Sequence, residues 1–179
     1  CLQDLVIHER HDHWVCDIQH VQAFSASKSP LKDLVSVEEM ALKYCQWALH
    51  DMSPTGIQTN LDWDQVRITK PGNTSDWFFR CEWDGRLFLM NDGGSHHFAA
   101  ARQIAATIGQ PVPLCGLLNE YKINHQAAAE LDAQFVVFGL DAGARGAFRE
   151  AMQAFGATYL VRHMPPPLHD QQMVFLPRD

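Results

Sequence analysis

"WFFRCEWDGRLFLMNDGGSHHFAAARQIAATIG", residues 77–109, is the stretch whose reading decides the fold. Apolar runs at 77–83 and 86–90 flank Asp84-Gly85. Asp-Gly between such runs predicts a β-hairpin, because the tight turn needs residues that tolerate positive φ. Gly93-Gly94 then breaks the second strand, and the alanine-rich pattern after it predicts a helix over 98–108 closed by Gly109. Strand, strand, glycine turn and helix follow each other without a linker.

Working upstream, 14–24 is strand-like, and "SASKSPLKD" (25–33) reads as a loop. "SVEEMALKYCQWALHDM" (36–52) reads as one amphipathic helix, with Ser36 and Glu39 at capping-box spacing. "SPTG" (53–56) reads as its end, and the turn-rich residues 61–76 give no clear element. Downstream, "PVPLCGLL" (111–118) is a strand and "NHQAAAELDA" (124–133) a helix with Asn124 as N-cap. "QFVVFGL" (134–140) is a strand, and "ARGAFREAMQAFG" (144–156) a helix with Asp141 as its cap. "ATYLVRH" (157–163) and "QQMVFLP" (171–177) are strands around the Pro-rich "MPPPLHD" (164–170). Strands alternate with helices, so the class is α/β or α+β, a mixed β-sheet with flanking helices. The expectation is a single domain over 1–179, with a centre at 75–118 and a C-terminal α/β extension at 119–179.

Composition narrows the function classes. The 179 residues carry a net charge of −7, with 46% hydrophobic and 20% charged residues. That charge disfavours nucleic acid held mainly through phosphate neutralisation. No apolar run reaches the ~20 residues needed to span a bilayer, and no secretory leader is visible. Cys1, Cys16, Cys45, Cys81 and Cys115 are odd in number and form no C-x-x-C. They read as reduced thiols of a cytoplasmic protein.

The chemistry concentrates at Asp92, Gly93, Gly94, Ser95, His96 and His97. The first N–H groups of a helix have no intrahelical partner and carry part of the macrodipole. Gly93 and Gly94 let the backbone turn and let a ligand come close. Ser95 can cap the helix or donate to a phosphate oxygen, while His96 and His97 donate hydrogen bonds and add charge when protonated. The combination suits phosphate. Ala99, Ala100 and Ala101 then allow close packing of the helix on the sheet. A glycine turn with a serine cap and two surface histidines accounts for the same residues without a ligand.

"LFLMNDGGSHHFAAARQIAATIGQPVPL" resembles the central segment of the ParB/sulfiredoxin-like superfamily, over roughly residues 75–118. Gly93-Gly94-Ser95-His96-His97 aligns with the sulfiredoxin turn G-G-C-H-R, with Ser for Cys and His for Arg. Gly94-Ser95-His96-His97 aligns with the ParB turn G-E-R-R, and Ala100 with its downstream alanine. The resemblance implies that this turn cradles a nucleotide phosphate, in a family of nucleotide hydrolases, kinases, nucleases and sulfinic acid reductases. Serine at position 95 removes the thiol chemistry of sulfiredoxin, and neither ParB arginine is present.

The expected ligand is therefore a nucleotide or other phosphate-bearing molecule accompanied by Mg²⁺, with Asp92 holding the metal through water. His96 and His97 would stabilise phosphoryl charge in phosphoryl transfer or phosphoester hydrolysis. Binding would weaken as pH rises past about 6.5. Two other readings stand beside it. One is a non-catalytic regulatory or interaction protein with a protein partner, and the other is a toxin-like nuclease. Elsewhere, His8, His11, Asp12 and His13 are a solvated cluster or a zinc set, and Glu38 and Glu39 are candidates for a general base. Arg102 lies two helical turns past Ser95, too far along to touch a phosphate at the turn. "GLDAGARG" (139–146) lacks both dinucleotide and Walker spacing and reads as the ordinary start of a helix.

Overall fold

The structure, a computed structural model, describes residues 2–70, 74–165 and 168–178. Among them the chain forms five α-helices, one five-stranded mixed sheet and one three-stranded antiparallel sheet, an α+β fold. The chain divides into two compact units, residues 7–122 and residues 1–6 with 123–179. No helix among the described residues is long and apolar enough to cross a membrane.

The larger unit holds the five-stranded sheet. Its strands are β1 (Val6–Asp17), β2 (Val21–Phe24), β3 (Trp77–Cys81), β4 (Leu87–Met90) and β5 (Pro113–Ile123), in the spatial order β1-β5-β3-β4-β2. The hairpin forms, but its strands are joined by the five residues 82–86 and not by a tight Asp84-Gly85 turn, so Trp83 and Arg86 lie outside the strands. β3 and β4 are antiparallel with Trp77 opposite Met90 and Arg80 opposite Leu87, and Gly85 takes φ 75° in the turn. β2 joins β4, and β5 joins β3, both in parallel. One face of the sheet supplies Phe78, Leu87, Leu89 and Leu118 to the core.

Three helices of this unit complete the core: α1 (Val37–Tyr44), α2 (Pro54–Leu61) and α3 (Ser95–Ile108). Ser36 caps α1 by accepting from the Glu39 N–H at 3.0 Å. The return bond falls one residue earlier than in a standard capping box, with the Glu39 carboxylate accepting from the Val35 N–H at 2.7 Å. The expected single helix over 36–52 stops at Tyr44 and gives way to a short 3₁₀ turn at Gln46–Ala48. "SPTG" starts a helix and does not end one. Ser53 is the N-cap of α2 and accepts from the Gly56 N–H, and Pro54 opens the first turn, where its missing N–H costs nothing. α3 packs against both α1 and α2. Its consecutive Ala99, Ala100 and Ala101 are fully buried, so the small residues serve close approach by neighbouring helices on several sides of a central helix.

In the smaller unit, α4 (His125–Gln134) is capped by Asn124, which accepts from the Ala127 N–H at 3.2 Å. It leads into β6 (Phe135–Asp141), α5 (Arg145–Ala154), β7 (Leu160–His163) and β8 (Gln171–Pro177), with β8 central in an antiparallel sheet. Phe148 of α5 packs edge-on against Phe138 and Tyr159. Asp141 precedes a 3₁₀ turn at Ala142–Ala144 and makes no capping hydrogen bond, so it does not cap α5. Pro166 and Pro167 of the Pro-rich loop lie outside the described residues.

Candidate functional site

The residues expected to form a site do come together. Asp92, Gly93, Gly94, Ser95, His96 and His97 line one open cleft of about 770 Å³ in the larger unit. Its other walls are Ala26, Ser27 and Lys28 from the loop after β2, Tyr44 from the end of α1, Trp47 from the 3₁₀ turn that follows it, and Trp63 and Gln65 from the segment after α2.

Asn91 anchors the glycine turn. It is buried at the end of β4, where its Nδ2 donates to the Ala26 carbonyl at 3.1 Å and to the Gly93 carbonyl at 2.7 Å. Its own N–H donates to Ser25 Oγ at 2.8 Å, and that hydroxyl donates to the Asn91 carbonyl at 3.0 Å. The glycine turn and the loop after β2 are thereby fixed to each other. Gly94, at φ 73°, is the N-cap of α3, so Ser95 is the first helical residue and not the cap. A Cβ at position 94 would lie 2.5 Å from the Gln65 carbonyl oxygen and 2.8 Å from the Val66 nitrogen. Gly94 is thus required by the protein's own backbone, whatever ligand approaches.

Both histidines are half-buried and lie on the first turn of α3. His96 Nε2 is 2.9 Å from Ser29 Oγ. His97 Nδ1 is 3.0 Å from Asn60 Oδ1, its ring stacks on Trp63 at 4.5 Å, and Trp47 meets it edge-on at 4.8 Å. Burial pushes both imidazoles below their ordinary pKa, with Lys28 adding to the effect at His96 and His96 adding to it at His97. Both shifts run against a gain of positive charge from the pair, which the sequence expects below about pH 6.5. The permanent cation is Lys28, exposed at the cleft wall. The sequence does not single out Lys28, and it reads Tyr44 and Trp47 as an apolar helix face and the tryptophans as core or interface residues, whereas Trp47 and Trp63 are exposed on the cleft.

The carboxylates are arranged differently from the expectation. Asp92 is exposed, and its Oδ2 lies 3.9 Å from Arg67 Nη1. Glu39 is committed to the Val35 N–H, and neither it nor Glu38 lines the cleft. Arg102 turns away from the turn, as expected, and donates to the Gln19 carbonyl at 3.1 Å. A buried carboxylate that no motif pointed to, Asp76, accepts from the backbone N–H groups of Arg67 and Ile68 at 3.0 and 3.1 Å. Burial raises its pKa, against the pull of those N–H groups and the Arg67 charge.

The N-terminal histidines do not assemble the zinc set considered from sequence. His8 stacks on Tyr121 and its Nε2 lies 2.9 Å from Asn119 Oδ1, while Asp12 pairs with Arg10. His11 instead meets Glu9 and Glu120, close enough together to share an ion. Those carboxylates already have cations: Arg80 lies 2.6 Å from Glu120, and Lys122 lies 2.7 Å from Glu9 and 3.3 Å from Glu120. The cluster is an ion-pair network that meets on the buried Glu120 carboxylate.

The chain belongs to a family described as "Family of unknown function (DUF6685)", which it matches over residues 11–179. No curated protein and no solved structure matches it.

Proposed function

We propose that the cleft binds a phosphate-bearing ligand with a flat ring, a nucleotide, with the phosphate at the start of α3 and the ring against the aromatic wall. One observation carries the reading. The first turn of α3, Lys28 and His96 share a single cleft with Tyr44, Trp47 and Trp63. Helix N-termini favour anions, a lysine supplies charge at every physiological pH, and half-exposed indoles are stacking platforms for bases. Trp47 and Trp63 stay 58% and 48% exposed, a cost in apolar surface that a stacked ring would offset. The relation to ParB/sulfiredoxin-like proteins is part of this proposal. It is supported by the order of elements: an antiparallel pair, the glycine turn, α3, then β5 returning parallel to β3.

Asp92 is the one carboxylate among the residues lining the cleft. It could give a metal a single oxygen ligand, which fits Mg²⁺ carried in on the ligand's phosphates and completed by water, and does not fit a dedicated metal cage. When bound there, Mg²⁺ would neutralise phosphate charge. The chain's own contribution to phosphoryl transfer or hydrolysis would then be orientation by Lys28 and the α3 N–H groups, with His96 and His97 as the imidazoles that line the same cleft.

The test is calorimetric titration of the full chain with AMP, ribose 5-phosphate and adenosine. AMP should bind more tightly than either fragment. Trp63→Ala should cost AMP about 1–3 kcal/mol, the usual worth of a base stacked on an aromatic side chain, and leave ribose 5-phosphate unaffected. No binding of any of the three, or equal losses for AMP and ribose 5-phosphate in Trp63→Ala, would refute the reading.

A further inference from the structure

His97 has a hydrogen-bond environment that assigns its protons. Asn60 is 5% exposed. Its Nδ2 lies 3.1 Å from the Ala48 carbonyl and 2.9 Å from the Gly56 carbonyl. Carbonyl oxygens only accept, so the amide NH₂ must face them and Oδ1 must face the imidazole. Oδ1 also only accepts. The 3.0 Å contact to His97 Nδ1 therefore requires a proton on Nδ1. In a neutral ring that leaves Nε2 bare, on the edge opposite buried Asn60, in a side chain that lines the cleft. Trp63 and Trp47 hold the ring in place from its face and its side.

We propose that His97 is the cleft's hydrogen-bond acceptor and Asn60 its positioning residue, so that Nε2 receives a hydroxyl or N–H of the ligand, or the O–H of a water, and not a phosphate oxygen. This rests on the reading of the cleft as a ligand site and refines it. The phosphate falls to Lys28 and the start of α3, and His97 reads a donor on the rest of the molecule, such as a sugar hydroxyl or an exocyclic amine. A bare imidazole nitrogen facing an O–H is also the geometry a general base needs. The other titratable groups lining the cleft are His96, Lys28, Tyr44 and Asp92. Of these, His96 opposes a second proton on His97 when charged, Lys28 acts on His96 in the same sense, and Asp92, the one carboxylate, is paired with Arg67.

The experiment is nitrogen-15 NMR of the histidine rings in the full chain between pH 5 and 8, alone and with AMP. The expected result near pH 7 is a protonated-type resonance for His97 Nδ1 and an unprotonated-type resonance for Nε2, with the ring still neutral when AMP is bound. Asn60→Asp should move the His97 titration upward by about 1–3 pH units, the usual effect of an opposite charge within hydrogen-bond reach. A purely packing role for position 60 would leave it in place. A proton on Nε2 with Nδ1 bare overturns the proposal, as does conversion of His97 to imidazolium at pH 7 on adding AMP. If Asn60→Asp fails to fold, the wild-type tautomer still decides. If AMP does not bind at all, the nucleotide reading falls while the tautomer of the free protein still tests the assignment.

Discussion

Gly94→Ala separates a glycine required by the fold from one beside it that is not. At φ 73°, an alanine would sit in the left-handed region, which costs an L-residue about 1–2 kcal/mol. Its Cβ would also lie 2.5 Å from the Gln65 oxygen, 2.7 Å from the Gln65 carbonyl carbon and 2.8 Å from the Val66 nitrogen. All three are backbone atoms and cannot swing aside, so the segment after α2 must shift, at about 1–3 kcal/mol for overpacking. Together the loss is about 2–5 kcal/mol, a large share of the ~5–15 kcal/mol that stabilises a typical domain. Gly93→Ala is the internal control. Its φ is not positive, and the three atoms nearest its Cβ would all belong to the Gln65 side chain, at 3.2–3.4 Å. A surface glutamine can give by a few tenths of an ångström, so that variant should stay within about 1 kcal/mol of wild type. The assay is urea unfolding followed by tryptophan fluorescence. All five tryptophans lie within residues 7–122, so the signal reports on the unit that holds the cleft. A Gly94→Ala protein within about 0.5 kcal/mol of wild type, or a Gly93→Ala protein losing more than Gly94→Ala, would refute the argument.

Three further outcomes follow from the same geometry. Lys28→Ala should weaken phosphate-bearing ligands by roughly 10- to 150-fold, the ~1.5–3 kcal/mol of one charge-assisted contact, with adenosine unaffected in parallel calorimetry. Ser36→Ala removes the cap of α1 and should cost about 1 kcal/mol in urea unfolding, with ligand affinity unchanged because Ser36 does not line the cleft. The folded-state pKa of His96 and of His97 is depressed below the unfolded value of 6.5, so the unfolded chain binds more protons. Their contribution to stability is fully present above 6.5 and is lost as pH falls through the folded-state values. Unfolding measured from pH 8 to pH 5 should show that acid-side loss, and a His96→Gln, His97→Gln protein should show less of it. An identical pH slope in the two proteins would contradict the burial argument.

Local signals that need no partner were legible in the sequence. Asp84-Gly85, Asn124 and the Ser36–Glu39 pair act through the backbone within a few residues, and each behaves as its spacing implies, apart from the longer hairpin connection at 82–86 and the one-residue displacement of the Glu39 bond. The misreadings occur where one residue type serves two signals. Ser53-Pro54 is compatible with a helix end or a helix start, and only the pattern at 57, 60 and 61, buried on one side of α2, distinguishes them. Ser95 has the composition of an N-cap, but Gly94 occupies that position because Gln65 and Val66 pack against the turn, a contact across about 29 residues that no local pattern encodes.

The candidate site was half legible for a related reason. The glycine turn and its histidines are contiguous, so they could be read together, whereas the groups that set their chemistry come from separate elements. Asn60 fixes the proton of His97 from α2, Ser29 meets His96 from the loop after β2, and Trp47 and Trp63 enclose His97 from two further segments. From contiguity alone, two adjacent histidines at a helix start look like a pair of cations. Once buried beside each other and beside Lys28, each resists protonation, and one of them gains a neighbour that can only accept. In the proposed nucleotide reading the phosphate then falls to the lysine and the helix, and the histidines become groups able to accept or exchange protons. That division predicts different signatures for the two positions: loss of Lys28 should lower affinity at every pH from 6 to 8, and loss of His97 should leave affinity intact in part of that range and change chiefly how it varies with pH. Parallel AMP titrations of Lys28→Ala and His97→Gln over that range test the division directly, and matching pH profiles for the two variants would dissolve it.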